Sequence, residues 1–373
     1  MWFYLDIAVF ICTVIITGLI IPQILLIAFR RNLFDDIDQR KIHQGTVPRL
    51  GGIAFFPAII LSTLLILGIV TMGEGFMGEF EIAVDVRQLC MVSCALTTLY
   101  IVGMADDLVG VRYRAKFLTQ ILAALFIFIG GIAIDNFHGF LWINNLPLFI
   151  QLLLTVILVV FFTNAINLID GIDGLASGLS SLAFMFYGII FYNQGMNYYA
   201  FLCFAALGTL LPFFYYNVFG SADRHKKIFM GDTGALTIGV LLSVFSLRIC
   251  MLQSCSMDMT LNPAVAAFAP LLIPCLDTVR VYLRRLKHKK NPFEPDKTHI
   301  HHKLLALGLP QKVVMPILIL FCAGLILLNY WLGSLINITF MFIIDLAIWV
   351  LINYFLTRAI RSRESKLNLS LYD

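Results

Sequence analysis

The chain has 373 residues, of which 60% are hydrophobic and only 13% charged. About a quarter of a soluble domain's residues are charged, so no fold with a water-facing surface could hide this much apolar sequence, and the solvent for most of the chain is lipid. The formal net charge of +4 excludes little by its size; its placement carries the information.

Apolar runs of spanning length, about 20 residues each, recur through the chain. They fall at 4–29, 50–71, 88–103, 117–134, 148–163, 179–192, 198–215, 235–251, 263–279, 314–331 and 338–356. This reading predicts an all-α, polytopic transmembrane helical bundle of about eleven spans. The first run is too long for the core of a signal peptide and has no small-residue cleavage site after it, so it is read as retained. All but two of the 26 Lys and Arg residues fall in alternate gaps, the exceptions being Arg87 and Arg248. Basic gaps are cytoplasmic, which puts the N-terminus outside and the C-terminus in the cytoplasm. The acidic stretch with Glu74, Glu79, Glu81 and Asp85 then lies outside. The whole of 1–373 reads as one integral membrane domain, with 280–313 its longest cytoplasmic loop. The eight cysteines show no paired spacing and mostly sit inside spans; a disulfide between Cys250 and Cys255 is an option.

Polar residues cluster in five places, all at the cytoplasmic side. The first holds Arg40, Lys41 and His43, followed by Arg49, Gly51 and Gly52. It reads either as a solvated, topology-anchoring loop or as a cationic patch for an anionic lipid or phosphate, with the glycine pair letting backbone approach something closely. The second is Asp106-Asp107, which ends an apolar span without any polar buffer. A carboxylate at membrane depth costs about 2.5–3.5 kcal/mol even on the lenient scale, and two together repel. Unless they snorkel to water, they need a cation nearby; Lys116 is one candidate.

In the third cluster Asn164, Asn167, Asp170 and Asp173 recur every three residues, interrupted by Gly171 and Gly174. On a helical turn this spacing aligns them. Such a stripe of amide and carboxylate oxygens suits Mg²⁺, ribose hydroxyls and a base edge, and also fits a polar hinge. The spacing is not that of an EF-hand. The fourth cluster, Phe229-Met230-Gly231-Asp232-Thr233-Gly234, opens a new apolar helix. Helix N-termini attract phosphate, which Asp232 would repel unless a metal bridged the two, so Asp232 reads as a metal ligand; the competing reading is a simple helix cap. Phe229 could offer its ring to a base. The fifth, His299, His301 and His302, fits hydrogen bonding to a phosphate or sugar, with a zinc site or a solvated loop as alternatives. Jointly the clusters suit a soluble nucleotide-linked substrate meeting a lipid phosphate. A transporter would place its polar sites near the midplane, and an intramembrane prenyltransferase would use aspartate-rich repeats that do not match the third cluster.

In order along the chain, Arg40-Lys41-x-His43, Pro48-x-x-Gly51-Gly52, Asp106-Asp107, Asn164-x-x-Asn167-x-x-Asp170-Gly-x-Asp173-Gly-Leu, Phe229-x-Gly231-Asp232-x-Gly234 and His299-x-His301-His302 resemble the motifs of polyprenyl-phosphate N-acetylhexosamine-1-phosphate transferases. The interrupted His motif and Pro48-Arg49-Leu50-Gly51-Gly52 are similar to the branch that starts O-antigen, enterobacterial common antigen or teichoic acid linkage units. The first motif departs from the family in having Ile37 and Asp38 before Arg40-Lys41. The resemblance implies a UDP-N-acetylhexosamine donor, usually UDP-N-acetylglucosamine, and an undecaprenyl phosphate acceptor. It also implies Mg²⁺, with Mn²⁺ as an alternative, and a plasma-membrane enzyme working at the cytoplasmic face. Asn167 and Asp232 would hold the metal. Asp106, supported by Asp107, would orient or deprotonate the lipid phosphate. Lys41, His43 and Lys116 would contact phosphates. Phe229 would stack on uracil, with Asp173 near the base or ribose and Asn164 and Asp170 completing the substrate stripe. His299, His301 and His302 would serve the sugar-phosphate end. No nucleic-acid partner is expected, and a homodimer is compatible with the sequence.

Overall fold

The protein is described here by a computed structural model covering residues 1–34, 47–72, 85–252, 262–289 and 298–367. In chain order its α-helices are α1 (Trp2–Arg31), α2 (Phe55–Met72), α3 (Val86–Val109), α4 (Tyr113–Ile129), α5 (Leu148–Ile169), α6 (Leu175–Asn193), α7 (Asn197–Phe214), α8 (Gly231–Cys250), α9 (Pro263–Phe268), α10 (Leu272–Lys287), α11 (Ile300–Ala306), α12 (Gln311–Leu332) and α13 (Ile338–Leu367). Among the described residues there is no strand, only an isolated bridge between Asn136 and Asn145. Helices are the outcome that lipid demands, because every backbone donor and acceptor must be satisfied within its own segment.

Among the described residues, ten helical segments of 19 to 30 residues are long and apolar enough to cross a membrane. The run expected at 117–134 becomes α4, whose 17 residues sit at the short end of what a bilayer accepts. Two spans are composite. A 3-10 turn at Ala269–Leu271, containing Pro270, joins α9 to α10, and α7 loosens into a π-helical turn at Tyr215–Phe219 just after Pro212. Proline removes a ladder bond and crowds the preceding turn, which accounts for both breaks.

The segments differ sharply in where they sit. Of the apolar window in α8, 94% is buried inside the protein, against 22% for α1 and for α3. α8 is therefore the axis, wrapped by α3, α5, α6 and α9, while α1, α2 and α12 present Leu19, Leu64 and Leu320 outward. Between helices in lipid, close packing replaces the hydrophobic effect, and small residues allow it. Gly103 on α3 shows this: a Cβ there would stand 2.6 Å from the Thr233 Cα on α8. Hydroxyls along the axis are satisfied locally, with Thr237 donating to the Thr233 carbonyl and Ser243 to that of Gly239, both at 2.7 Å.

The gap expected as a long loop at 280–313 holds ordered helix at both ends: α10 continues to Lys287, and α11 carries the His motif. Residues 290–297 between them lie outside the described residues. Cys250 is a buried thiol at the end of α8, and the Cys255 of the disulfide option lies outside the described residues. The acidic residues Glu74, Glu79 and Glu81 lie outside them too.

Candidate active site

Four helix ends meet at one end of the bundle. α3 finishes with Asp106 and Asp107, and the chain turns through Gly110 into α4, whose first turn carries Lys116. α5 ends just after Asn167, and α8 begins at Gly231-Asp232. The Lys116 ammonium bridges two carboxylates, reaching Asp106 Oδ2 at 2.9 Å and Asp232 Oδ2 at 3.1 Å. The Asn167 amide donates to Asp232 Oδ1 at 2.5 Å, and Asp106 Oδ1 accepts from the Val111 amide at 2.6 Å. The Asp106 and Asp232 carboxyl groups are themselves within hydrogen-bonding reach. One ammonium thus serves two adjacent carboxylates, leaving the cluster an excess of negative charge.

Asp107 has a different post. Its carboxylate accepts from the backbone amides of Asp232 at 2.8 Å and Thr233 at 2.9 Å, and from the Thr233 hydroxyl at 2.5 Å. It caps α8 from another helix, satisfying amides that a helix start leaves without intrahelical partners. The two adjacent aspartates, read together from the sequence, point to different tasks: Asp106 toward Lys116 and Asp232, Asp107 into the frame that holds Asp232. Gly231 adopts φ +73° here, and a Cβ on it would fall 2.1 Å from the Arg49 carbonyl and 2.6 Å from Asp107 Oδ2. The glycine pair of the first cluster is likewise used internally. Gly51 and Gly52 donate to the Phe229 and Met230 carbonyls at 2.9 and 2.8 Å, and a Cβ on Gly52 would overlap Gly234 at 2.0 Å.

The polar stripe also divides. Asn164 is spent on packing: its amide nitrogen donates to Gln120 Oε1 on α4 and to the Val160 carbonyl, both at 2.7 Å, and Gln120 donates back at 3.4 Å. Asn167, one turn on, faces Asp232. Asp170 lies in the turn after α5. Burial raises its carboxyl to about 7, the neighbouring Asp173 charge adds to the rise, and the Arg49 guanidinium opposes it. Asp173 pairs with Lys227 at 2.6 Å, and the Lys227 ammonium stands 5.8 Å from the centre of the Phe229 ring. Asn217, in the π-helical turn, locks this arrangement by accepting from Gly174 N at 2.7 Å and donating to the Ile228 carbonyl at 2.9 Å. An aromatic face, a cation and a carboxylate therefore stand together beside the Asp232 cluster.

The His motif closes another side. His301 packs against the third-cluster turn so tightly that a Cβ on Gly171 would be 2.3 Å from its Nε2. His301 is 1% exposed, and neither ring nitrogen has a hydrogen-bond partner. Burial pushes its pKa down to about 3, helped by His302 and His299, so the imidazole is neutral at physiological pH. His299 lies parallel to it, ring centres 5.6 Å apart, but its Nδ1 is committed to Asp277 Oδ2 at 2.9 Å. His302 stands 4.3 Å from His301, ring centre to ring centre. Lys41 and His43 lie outside the described residues.

Three contributors escaped the sequence reading. Asp277 and Arg280 fix α11 to α10, and Lys227 pairs with Asp173. Asp277 is a lone carboxylate in an apolar run, and its i, i+3 spacing to Arg280 was the available signal. Among the described residues no three His, Cys, Asp or Glu side chains form a metal group. The oxygens that do gather, from Asp106, Asp232 and the Asn167 amide once rotated, are hard ligands. They fit Mg²⁺, which is commonly held by one or two carboxylates with water and substrate phosphates completing its shell.

The model of glycosyl transferase family 4 matches residues 89–250. A Bacillus subtilis (strain 168) protein described as a probable undecaprenyl-phosphate N-acetylglucosaminyl 1-phosphate transferase is 30% identical over 318 residues, covering 85% of this chain and 81% of the relative. Undecaprenyl-phosphate alpha-N-acetylglucosaminyl 1-phosphate transferases of Yersinia pestis and Escherichia coli (strain K12) are each 29% identical. The alignments cover 81% and 80% of this chain, and 78% and 76% of those relatives.

Proposed function

Because the chain belongs to the polyprenyl-phosphate N-acetylhexosamine-1-phosphate transferase family, we propose that it transfers N-acetylglucosamine-1-phosphate from UDP-N-acetylglucosamine to undecaprenyl phosphate. UMP is released, and the product opens the assembly of a cell-surface polysaccharide at the cytoplasmic face of the plasma membrane. The observation that carries this reading is the convergence of Asp106, Lys116, Asn167 and Asp232 from four helices, next to Phe229, Lys227 and Asp173.

The chemistry follows from the charges. A phosphate monoester has its second pKa near about 6, so the acceptor is largely ionised at pH 7 and needs positioning more than deprotonation. An oxygen of the lipid phosphate attacks the sugar-bearing phosphorus, and the bond to the UMP oxygen breaks; one anhydride replaces another, which makes the reaction reversible. Lys116 draws the acceptor phosphate toward Asp106, and Asp106 orients it. Phe229 offers its ring to uracil, and Asp173 with Lys227 meets the polar edge of the nucleoside. His301, neutral and without a partner, is suited to hydrogen-bond the sugar-phosphate end. The approach of two phosphorylated substrates to an already acidic cluster calls for a divalent ion, Mg²⁺ or its substitute Mn²⁺; Asp232 and Asn167 would hold it, and it would supply charge neutralisation at the diphosphate.

The test is exchange of labelled UMP into UDP-N-acetylglucosamine by the purified protein with added undecaprenyl phosphate. Exchange should require Mg²⁺ and stop with a chelator. The Asp232→Ala variant should lose at least about 10³-fold, the scale of removing a main electrostatic contributor. Near-normal exchange in that variant would remove the metal assignment, and a panel of UDP-amino sugars would fix the donor.

A further inference from the structure

A second polar enclosure lies at the opposite end of the bundle. α8 carries Asp232 in its first turn and Arg248 in its last, which separates the two by about 24 Å of helix. An arginine at a span end ordinarily sends its head group to water. Arg248 turns inward instead, its guanidinium 5.4 Å from the centre of the Tyr199 ring. It hydrogen-bonds Tyr199, whose hydroxyl in turn donates to Gln88 Oε1. Its Nε is buried with no hydrogen-bond partner.

These side chains line a cavity of about 430 Å³. Its polar wall includes Arg248, Tyr199, Gln88 and Asn197, and its apolar wall Leu89 and Leu241. Asp85 also borders it, but its carboxylate caps α3, accepting from the Arg87 and Gln88 amides at 2.9 and 3.3 Å. Among the described residues no carboxylate is in ion-pair contact with Arg248. A guanidinium half-withdrawn from water is costly to leave without a counter-charge, and this one is held in place by a ring and a hydroxyl beside an open volume large enough for a small ligand.

We propose that this cavity binds a phosphate or phosphodiester anion, with Arg248 as its counter-ion and Gln88 and Asn197 as hydrogen-bonding partners. Guanidinium matches phosphate oxygens in a bidentate fork. The head group of an anionic phospholipid and a soluble phosphate share this chemistry. The site is separate from the transferase cluster and does not depend on the reaction assigned there.

The experiment is thermal unfolding of the delipidated full-length protein in detergent, titrated with phosphatidylglycerol, diacylglycerol or inorganic phosphate. The expected result is a concentration-dependent rise in Tm with phosphatidylglycerol and none with diacylglycerol, which has the same chains and no phosphate; a rise with inorganic phosphate as well would make the soluble anion sufficient. Arg248→Gln should weaken the anion effect about tenfold, the scale of one lost charge-assisted contact. Should that variant fail to fold, Asn197→Asp decides. It places a negative charge on the cavity wall at a helix start that favours one, and it should abolish the anion effect while UMP exchange persists. An equal rise with diacylglycerol, no rise with any anion, or an undiminished anion effect in Asn197→Asp would overturn the proposal.

Discussion

Two carboxylate centres, one buried and one half-buried, sit at the same end of this bundle, and they are built on opposite principles. Asp277 on α10 is 0% exposed and saturated. It takes Arg280 at 2.7 Å, His299 Nδ1 at 2.9 Å and the Ile300 amide at 3.1 Å, while Arg280 also donates to the Thr298 carbonyl at 2.5 Å. The Asp106–Asp232 pair instead shares one ammonium and an amide. A saturated centre has nothing left to bind and serves as a joint, here fixing the His motif. An under-neutralised centre carries its excess charge for a ligand. Counting donors against acceptors separates scaffold from chemistry where residue type does not.

The contrast makes opposite demands on stability. Asp277→Ala leaves Arg280 and His299 buried without their acceptor, and removing one partner of a buried pair costs about 3–5 kcal/mol. Thermal unfolding in detergent should show it as a large fall in Tm, with exchange lost because α11 is no longer seated. Asp232→Asn should leave Tm nearly unchanged, since Lys116 keeps Asp106, yet abolish exchange. Equal destabilisation by the two variants would break the comparison. Asp107→Ala should fall between, costing about 1–2 kcal/mol as a lost cap and reducing exchange by displacing Asp232.

The smallest effect concerns pH. His301 has its folded pKa depressed to about 3 from 6.5, so the unfolded chain takes up a proton below pH 6.5 that the folded one refuses, and stability is lost as pH falls from there. Asp170, raised to about 7 from 3.8, acts in reverse: its contribution is full below the unfolded value and fades as pH rises toward 7. Between pH 6.5 and 3.8, where both act, the two offset each other. Each uncompensated proton is worth about 1.4 kcal/mol per pH unit. His301→Gln should therefore make the metal-free protein more stable on acidification, and Asp170→Asn less stable. Parallel pH profiles for the two variants would remove the assignment of charge states.

Much of this was legible in the residues. Long apolar runs forced a helical bundle, and the motif order pointed to the family. The cost of leaving carboxylates at membrane depth singles out Asp106 and Asp107 with Lys116 beside them, the phosphate-attracting helix start singles out Asp232, and only the resemblance to the family makes Asn167 a metal ligand. The count of spans was less secure, because α4 is 17 residues long and periodicity alone does not say where such a short helix ends.

Sequence alone established the solvent, the helical class and the crowding of polar motifs into the basic gaps, because transfer energies and positive-charge placement act on segments one at a time. Tertiary structure decided which member of each polar set faces Asp232. Asp106 and Asp107 are neighbours in sequence, and so are Asn164 and Asn167 within one turn. Only the crossing of α3, α4 and α5 with α8 sends Asp107 to cap a helix and Asn164 to Gln120, while Asp106 and Asn167 reach Asp232. That choice rests on contacts between residues up to 126 positions apart, set by helix register and close approach at glycines, quantities that no single segment contains.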